Sequence, residues 1–294
     1  MMKKLMVITL VCLLTLPAFA DEQVNRMLDA ASDGHVDVSN IAGSVTVNGW
    51  NRNTVEVTGT LGRNVEELIF ERDGDTIEIK VKVPRRGGRG IESDLRISVP
   101  KNSSLDIGTV SADIDVSDVA GEQSLSSVSG DIETDYTGED LSAQSVSGDV
   151  EVSGNGVAGD VVASTVSGDV TLFRVSGKVE AESVSGGVVV DEGSFERAEL
   201  GTVNGDIVFQ GKLEKGGRLS IDTVNGGVDV EFDGDVSARF EIDTFNGGIH
   251  NCFGPKAERT SKYAPGWELE FTEGSGSGRV EISTMNGGVT LCKK

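Results

Sequence analysis

Thr109-Val110-Ser111-Ala112-Asp113-Ile114 is the first of nine copies of one phrase, and Thr284-Met285-Asn286-Gly287-Gly288-Val289 is the last. Each copy contains a hydroxyl residue, an apolar residue, Ser or Asn, then Gly (once Ala), and a β-branched residue two places later. The Ser or Asn residues occupy positions 111, 129, 147, 167, 185, 204, 225, 246 and 286, so steps of 18 to 21 residues precede one final step of 40. A period near twenty residues predicts a stacked-repeat architecture.

Aligned on the corner Ser or Asn, the copies form columns of like residues. The positions four places before the corner and three places after it are apolar in every copy, as Ile107 and Ile114 are in the first. Alternation on both sides of a corner indicates strand, turn, strand, and we expect the corner glycine to supply the positive φ of a tight turn. The sequence therefore predicts an all-β fold, a single-stack β-solenoid of about nine rungs with two short strands in each.

The segment before the repeats is also β-like but does not repeat. Alternating runs such as Thr76–Val81 predict strands there. A solenoid must cover its open end, so residues 21–104 are predicted to form an N-terminal β cap and residues 105–294 the solenoid. The final 40-residue interval contains Pro and Gly residues typical of turns and lacks the corner phrase. This favours an inserted loop around residues 252–278 over an additional rung. This loop is the predicted contact loop of the solenoid.

The first twenty residues have the pattern of a secretory signal peptide. Lys3 and Lys4 precede an apolar run, and Ala18-Phe19-Ala20 is a small-residue cleavage site. We therefore expect cleavage near Ala20 and a mature chain that is periplasmic, displayed on the cell surface or secreted. No later segment approaches the roughly eighteen apolar residues of a transmembrane helix, so direct membrane insertion is not expected.

The chain is strongly acidic. Its 26 Lys and Arg against 48 Asp and Glu give a formal charge of −22, and loss of Lys3 and Lys4 leaves 24 − 48 = −24. A surface of this sign repels nucleic acid and anionic lipid, so no nucleic-acid partner is expected. The one basic cluster, in Pro84–Gly90, is predicted to be an exposed, solvated loop.

Two cysteines occupy one column of the repeat. Cys252 and Cys292 each follow a corner Asn by six residues. If the intervening segment is an inserted loop, the two cysteines lie on adjacent rungs about 5 Å apart, within reach of a disulfide. An additional rung would separate them by about 10 Å. Export favours oxidation, so a Cys252–Cys292 disulfide is predicted, with two stacked free thiols as the alternative.

Four successive copies carry an aspartate two places after the corner Ser. These residues are Asp113, Asp131, Asp149 and Asp169. Alternation directs them outward, where carboxylates stacked about 5 Å apart repel by roughly 1 kcal/mol per neighbouring pair in water. Two interpretations remain open. Each carboxylate accepts a backbone N–H at its own corner, or the column is a weak site for a divalent cation such as Ca²⁺; no other cofactor is expected.

Signals for catalysis and for sugar binding are weak. The chain has two histidines, His35 and His250, and no compact acid–His–Ser phrase. Carbohydrate sites use aromatic platforms, yet the chain has two Trp and two Tyr among its 294 residues. Trp50, Trp267 and Tyr263 are predicted to pack in the cap and loops. We therefore predict that the protein is not an enzyme, with a polysaccharide-acting enzyme as the outside alternative.

Several features together carry a resemblance that covers essentially the whole mature chain. They are the export signal, the phrase Ala42-Gly43-Ser44-Val45-Thr46-Val47 before Trp50, the strand that ends Ser98-Val99-Pro100, and the repeated Thr-Val-Asn-Gly-Gly-Val. This combination of features resembles the bacterial putative-adhesin β-solenoid family, also called toast-rack domains. The resemblance implies an envelope-associated β-solenoid with no established chemistry, and it supplies no catalytic residues.

We interpret the chain as an exported, non-enzymatic β-solenoid of the bacterial envelope, an adhesin-like structural or interaction module. Its expected partner is an envelope protein or polysaccharide, contacted through a rigid, acidic, strand-lined face. The alternative is an extracytoplasmic component of an envelope-stress or signalling system. Some relatives are joined to membrane segments or stress regulators, and the sequence displays neither.

Overall fold

The computed structural model describes residues 22–85, 88–261, 263 and 265–294. The predicted signal peptide, residues 1–20, lies outside the described residues, and so does Arg86 of the predicted basic loop. The described chain is all-β, as predicted. None of its described residues belongs to a helix long and apolar enough to cross a membrane.

The N-terminal part already contains stacked layers. Its strands are β1 (Glu22–Asp29), β2 (His35–Trp50), β3 (Thr54–Leu61), β4 (Glu67–Asp73), β5 (Thr76–Lys82), β6 (Ser93–Pro100) and β7 (Ser104–Ser117). β2 pairs in parallel with β7 on one side, and with β5 and β6 on the other. The stack therefore extends into the segment predicted to be a cap, and β2 lies inside the stack although it precedes β5, β6 and β7 in the sequence.

Antiparallel strands cover this end of the stack. β3 pairs with β6, β4 pairs with β5, and β1 pairs with β3. A parallel edge presents unpaired N–H and C=O groups that would otherwise recruit another chain. The antiparallel strands occupy those groups, which is the role the sequence assigned to a cap.

The central repeats build two parallel ladders. Their strands are β8 (Gln123–Ser127), β9 (Ile132–Tyr136), β10 (Leu141–Ser145), β11 (Val150–Gly154), β12 (Ala158–Thr165), β13 (Val170–Phe173), β14 (Ser176–Ser185), β15 (Val188–Asn204), β16 (Ile207–Asn225) and β17 (Val228–Phe232). Strands that precede a corner form what we call the leading ladder: β7, β8, β10, β12, β14 and the ends of β15 and β16. Strands that follow a corner form the trailing ladder: β7, β9, β11, β13, the starts of β15 and β16, then β17.

The C-terminal repeats do not stack in sequence order. Their strands are β18 (Ala238–Asn246), β19 (Ile249–Asn251), β20 (Glu258–Arg259), β21 (Trp267–Thr272), β22 (Gly278–Asn286) and β23 (Val289–Lys293). β22 pairs with β16 on one side and β18 on the other, and β23 lies between β17 and β19. The last repeat is thus inserted between the two that precede it. β21 pairs antiparallel with β18, and β20 with β21, so the 40-residue interval is an excursion over the terminal edge.

The two ladders enclose one apolar core. Val170, from the column three places after the corner, has no exposed surface. In the column four places before the corner, the core is narrowest at three alanines (Ala143, Ala163, Ala181), with Ile107 and Leu125 before them and Leu200 and Ile221 after them. Phe195, Phe209, Phe232 and Phe240 form a file of rings in the C-terminal half, with successive centroids 5.3, 5.9 and 6.0 Å apart. This continuous core makes the solenoid a rigid support for whatever its corners display.

Candidate functional site

The hydroxyl residue two places before each corner is buried and serves the corner backbone. Thr165 Oγ1 donates to the carbonyl of Gly148 at 2.8 Å, and Ser183 Oγ donates to the carbonyl of Gly168 at 2.8 Å. In both cases the acceptor is the corner glycine of the neighbouring rung. A buried carbonyl without a donor costs free energy, so this hydroxyl column is explained by the stability of the corner.

The corner glycines are required by close approach rather than by positive φ, so the sequence prediction about them was wrong. A Cβ on Gly186 would lie 1.9 Å from the carbonyl oxygen of Gly168 in the neighbouring rung, and one on Gly148 would lie 2.2 Å from that of Gly130. Gly186 and Gly148 are not among the residues with positive φ. At these two corners only glycine lets the rungs stack at strand spacing. The same stacking brings the residue before each corner into one surface column.

That column is apolar and exposed in all nine copies. In stacking order it consists of Val110, Val128, Val146, Val166, Val184, Val203, Val224, Met285 and Phe245, each between 38 % and 54 % exposed. We call it the apolar ridge. Neighbouring strands are about 4.8 Å apart, so the ridge extends over on the order of 40 Å. Single exposed apolar residues are ordinary on a protein surface, whereas contiguous ones mark interaction sites.

A groove runs beside the apolar ridge on the leading ladder. Its central stretch has a volume of about 690 Å³ and is lined by the ridge residues from Val146 to Val203 and by hydroxyls such as Ser164. A second stretch of about 520 Å³ lies beside Val224, Met285 and Phe245. Ridge and groove together give the solenoid a long, partly apolar contact surface.

The charge of the groove changes along its length. The residues three places before the corner are first uncharged and then partly acidic: Gly108, Ser126, Gln144, Ser164, Glu182, Gly201, Asp222, Ser283 and Asp243 in stacking order. Burial, and then the charge of Glu281, raises the pKa of the Asp222 carboxyl. The groove therefore presents apolar and hydroxyl surface at one end and negative charge at the other.

The predicted aspartate column forms a hydrogen-bonded ladder between rungs. Asp113 Oδ1 accepts the backbone N–H of Asp131 at 3.1 Å, Asp131 Oδ1 that of Asp149 at 2.9 Å, and Asp149 Oδ1 that of Asp169 at 2.8 Å. Asp169 Oδ1 accepts from Gly187 N at 2.7 Å. The expectation that each carboxylate bonds its own corner was wrong, because stacking presents the N–H of the next rung instead. These charge-assisted bonds offset the repulsion within the column.

Cys252 and Cys292 are joined in a disulfide, as their shared column predicted, with Cα atoms 4.9 Å apart. The bond links the residue that follows β19 to β23, and Cys252 N also donates to the carbonyl of Leu291 at 2.9 Å. His250 Nε2 lies 3.8 Å from Cys252 Sγ. Disulfide and histidine therefore form one exposed cluster on the trailing ladder.

The structure also places His35 beside a serine that is distant in the sequence. His35 Nδ1 lies 3.0 Å from Ser104 Oγ across the β2–β7 pairing. Burial, followed by the charges of Asp106 and Glu78, raises the pKa of the nearby Asp37 carboxyl. Among the described residues no carboxylate hydrogen bond to His35 is found, so the pair lacks the group that orients the imidazole in a catalytic triad.

Sequence reasoning missed the apolar ridge, although a signal for it was present. Period-2 alternation predicts a polar residue at an outward position. The position before each corner departs from that rule in all nine copies. The exposure of the whole column marks it as a surface feature rather than a tolerance of single apolar residues.

The comparison with protein families gives one match: the family model described as Toastrack DUF4097 covers residues 35–292. Among curated proteins, none matches the chain. Similar solved structures include a putative adhesin from Bacteroides fragilis, 11 % identical, with a TM-score of 0.43 over 93 % of this chain and 97 % of that one. A putative lipid binding protein from Parabacteroides distasonis is 13 % identical, with a TM-score of 0.41 over 92 % and 96 % of the two chains. A putative cell adhesion protein from Clostridium sporogenes is 10 % identical, with a TM-score of 0.24 over 94 % and 100 %.

Proposed function

Because the chain belongs to the Toastrack DUF4097 family, we propose that it is an exported, non-catalytic interaction module of the bacterial envelope. The apolar ridge binds an apolar segment of an envelope protein. The observation that carries this proposal is the exposure of nine apolar side chains in one unbroken column on a chain whose formal charge is −22.

The ridge is held rigid before any partner arrives. Backbone bonds link successive corners: Ser167 N donates to Val146 O at 3.0 Å, and Ser185 N donates to Val166 O at 2.9 Å. Ordering of a flexible surface opposes binding, whereas a preorganised one avoids that entropic cost. The stacked corners therefore hold the side chains of the apolar ridge in a fixed row, ready for binding.

The chemistry of the ridge favours a protein over a polysaccharide. Methyl, thioether and phenyl groups contribute to binding mainly by leaving water, at about 25 cal/mol per Å² of apolar surface. Glu182, Asp222 and Asp243 favour a partner segment with Lys or Arg at one end. Export is supported by the signal-peptide pattern of residues 1–20 and is consistent with a disulfide. Protease treatment of intact cells distinguishes surface display from the periplasm.

Crosslinking in the native envelope, followed by mass spectrometry, tests the ridge. The test variant combines Val146→Thr, Val166→Thr and Val184→Thr, which keep the β-branched shape and add a hydroxyl to each ridge position. The control is Val208→Thr, an exposed valine on the trailing ladder. We expect the triple variant to recover its protein partner at least about tenfold less well and the control to match the parent. Equal recovery from the triple variant would show that the ridge does not bind.

A further inference from the structure

Histidine and cysteine are rare in this chain, and most of these side chains meet at one point. The sequence has two histidines and three cysteines, of which Cys12 lies in the predicted signal peptide. Of the remaining four, His250, Cys252 and Cys292 place one ligand atom each within 4.8 Å of the others, and only His35 lies elsewhere. Chance distribution over 294 residues does not favour such convergence.

The β pairing accounts for the convergence. β19 and β23 are adjacent parallel strands in which His250 stands opposite Thr290. Cys252 follows His250 by two residues, so both side chains project from the same face. His250 and Cys252 are exposed and Cys292 is half-buried. His250 and Cys292 lie in two hydrogen-bonded strands, Cys252 directly follows one of them and donates its N–H to the other, and solvent reaches the cluster.

One distance already fits a metal centre. With Zn–S near 2.3 Å and Zn–N near 2.0 Å, two ligand atoms of a tetrahedral zinc ion lie roughly 3.5–3.8 Å apart. His250 Nε2 and Cys252 Sγ lie 3.8 Å apart. The two sulfurs are closer because they are bonded to each other. Once that bond is reduced, side-chain rotation suffices to separate them.

We propose that His250, Cys252 and Cys292 form a soft-metal site that the disulfide closes and reduction opens. A dithiol reductant gives two electrons and two protons to the disulfide, which becomes two thiols while the reductant becomes a disulfide. Zn²⁺ then displaces both thiol protons and is bound by two thiolates and the neutral Nε2 of His250. Three protein ligands leave the fourth position of the ion open, and thiolates also suit Cu⁺.

The surroundings favour a cation. The chain carries a formal charge of −22, and the basic neighbour Lys293 is engaged elsewhere. Its Nζ lies 3.5 Å from Glu273 Oε1 and 5.4 Å from the ring centre of Phe253. The site lies on the trailing ladder and shares no residue with the apolar ridge. A test of the metal site is therefore independent of a test of the proposed function.

Calorimetric titration with Zn²⁺ tests the site in the mature protein kept reduced by a phosphine. We expect one Zn²⁺ per chain, with proton release that makes the heat depend on the buffer, and no such binding by the oxidised protein. His250→Gln should weaken binding at least about tenfold, since a ligand is lost, and His35→Gln should leave it unchanged. Equal affinity of His250→Gln and the parent would overturn the three-ligand site, as would the absence of Zn²⁺ binding to the reduced parent.

The cobalt spectrum of the reduced parent supplies a readout that does not depend on the folding of any variant. Co²⁺ bound to the reduced parent should show thiolate-to-cobalt charge-transfer absorption, and prior oxidation should abolish it. Cys252→Ser should lose most of the absorption while melting at the temperature of the reduced parent. A reduced parent without this absorption contradicts thiolate ligation directly.

Discussion

Asn286 donates a side-chain hydrogen bond to Asn225 Oδ1 at 2.9 Å across 61 positions of the sequence. Asn246 in turn donates to Asn286 Oδ1 at 2.9 Å, and Asn225 donates to Asn204 Oδ1 at 2.9 Å. The amide ladder therefore runs through 204, 225, 286 and 246. It follows the stacking order and not the chain, because the last repeat is inserted into the stack.

The amide ladder predicts a graded effect of its removal. Asn286→Ala removes two inter-rung hydrogen bonds, and Asn246→Ala removes one. At about 0.5–1 kcal/mol per hydrogen bond, the free energy of unfolding should fall by about 1–2 kcal/mol for Asn286→Ala and by about half of that for Asn246→Ala. Chemical denaturation measures both. A larger loss from Asn246→Ala would contradict the inserted position of the last repeat.

The sequence was sufficient to predict the all-β repeat but not the order of its last members. Burial of Val170 and the disulfide of Cys252 with Cys292 followed from columns alone. The phrases around Asn246 and Asn286 are nearly identical, so column matching cannot tell which of them stacks on Asn225. A repeat period by itself predicts that rungs stack in the order of the chain. Only the pairing between strands shows that the last rung is inserted between two earlier ones.

The boundary between the predicted N-terminal cap and the stacked rungs could not be located from the sequence for a related reason. β2 turns its corner at Asn40-Ile41-Ala42-Gly43, which has a Gly opposite Ala112 but Asn and Ala where the repeat phrase has a hydroxyl residue and Ser or Asn. β2 nevertheless pairs with β7 over most of its length. A corner that differs in sequence can still stack. The inter-rung acceptors of the aspartate column were likewise hidden, because hydrogen bonds between residues 18 to 20 apart depend on the rise of the coil.

The core column predicts a severe effect of a buried charge. Val170 is fully buried between Val150 and Val188 in the trailing ladder. Val170→Asp places a carboxylate without a partner there, which should cost on the order of 4 kcal/mol or more and abolish cooperative unfolding. Val170→Ala, the matched control, should lose about 1–3 kcal/mol and remain cooperative. Thermal unfolding within a few degrees of the parent for Val170→Asp would refute the column assignment.

The disulfide predicts protection of both mature thiols. Cys252 and Cys292 are 40 residues apart, and closing a loop of that length stabilises the fold by about 4 kcal/mol in the chain-entropy account. Thiol labelling of the denatured, unreduced mature protein should modify neither cysteine. The Cys252→Ser, Cys292→Ser double variant should unfold at lower denaturant concentration. Two labelled cysteines in the unreduced parent would reject the bond.

The trailing ladder predicts stabilisation in mild acid. Burial, followed by the charges of Asp115, Glu151 and Asp135, raises the pKa of the Glu133 carboxyl. A raised pKa means that the folded protein binds this proton more tightly than the unfolded chain does. The contribution of Glu133 to stability should therefore rise as the pH falls toward its folded pKa, and decline as the pH rises above it. Acid also changes stability through other titratable groups, and a variant without the Glu133 carboxyl separates the contribution of Glu133 from theirs.

Glu133→Gln supplies that comparison. It removes the charge from the stack, so it should raise the Tm at pH 7 and flatten the dependence of Tm on pH between 7 and 5. Glu66→Gln, at an exposed position outside the central rungs, is the control and should leave the slope as it is in the parent. A parent-like slope for Glu133→Gln would locate the pH dependence elsewhere.

The aspartate column predicts that the acceptor atom matters more than the charge. The Asp131→Asn, Asp149→Asn double variant keeps an Oδ1 that can accept the N–H groups of Asp149 and Asp169, while it removes two like charges worth roughly 1 kcal/mol per neighbouring pair in water. We expect it to be at least as stable as the parent. Replacing the same two residues by alanine removes the acceptors and should cost about 1–3 kcal/mol in denaturant unfolding.

Calorimetric titration of these proteins with Ca²⁺ distinguishes the two interpretations of the column. Each carboxylate already uses one oxygen to accept a backbone N–H. Among the described residues, the aspartates do not bring three carboxylates around one point as His250 and the cysteines bring their ligands. Since Ca²⁺ takes six to eight oxygen ligands, we expect equal Ca²⁺ heats for the parent and the Asn double variant. Heat that is present in the parent and lost in the variant would instead establish a cation site on this column.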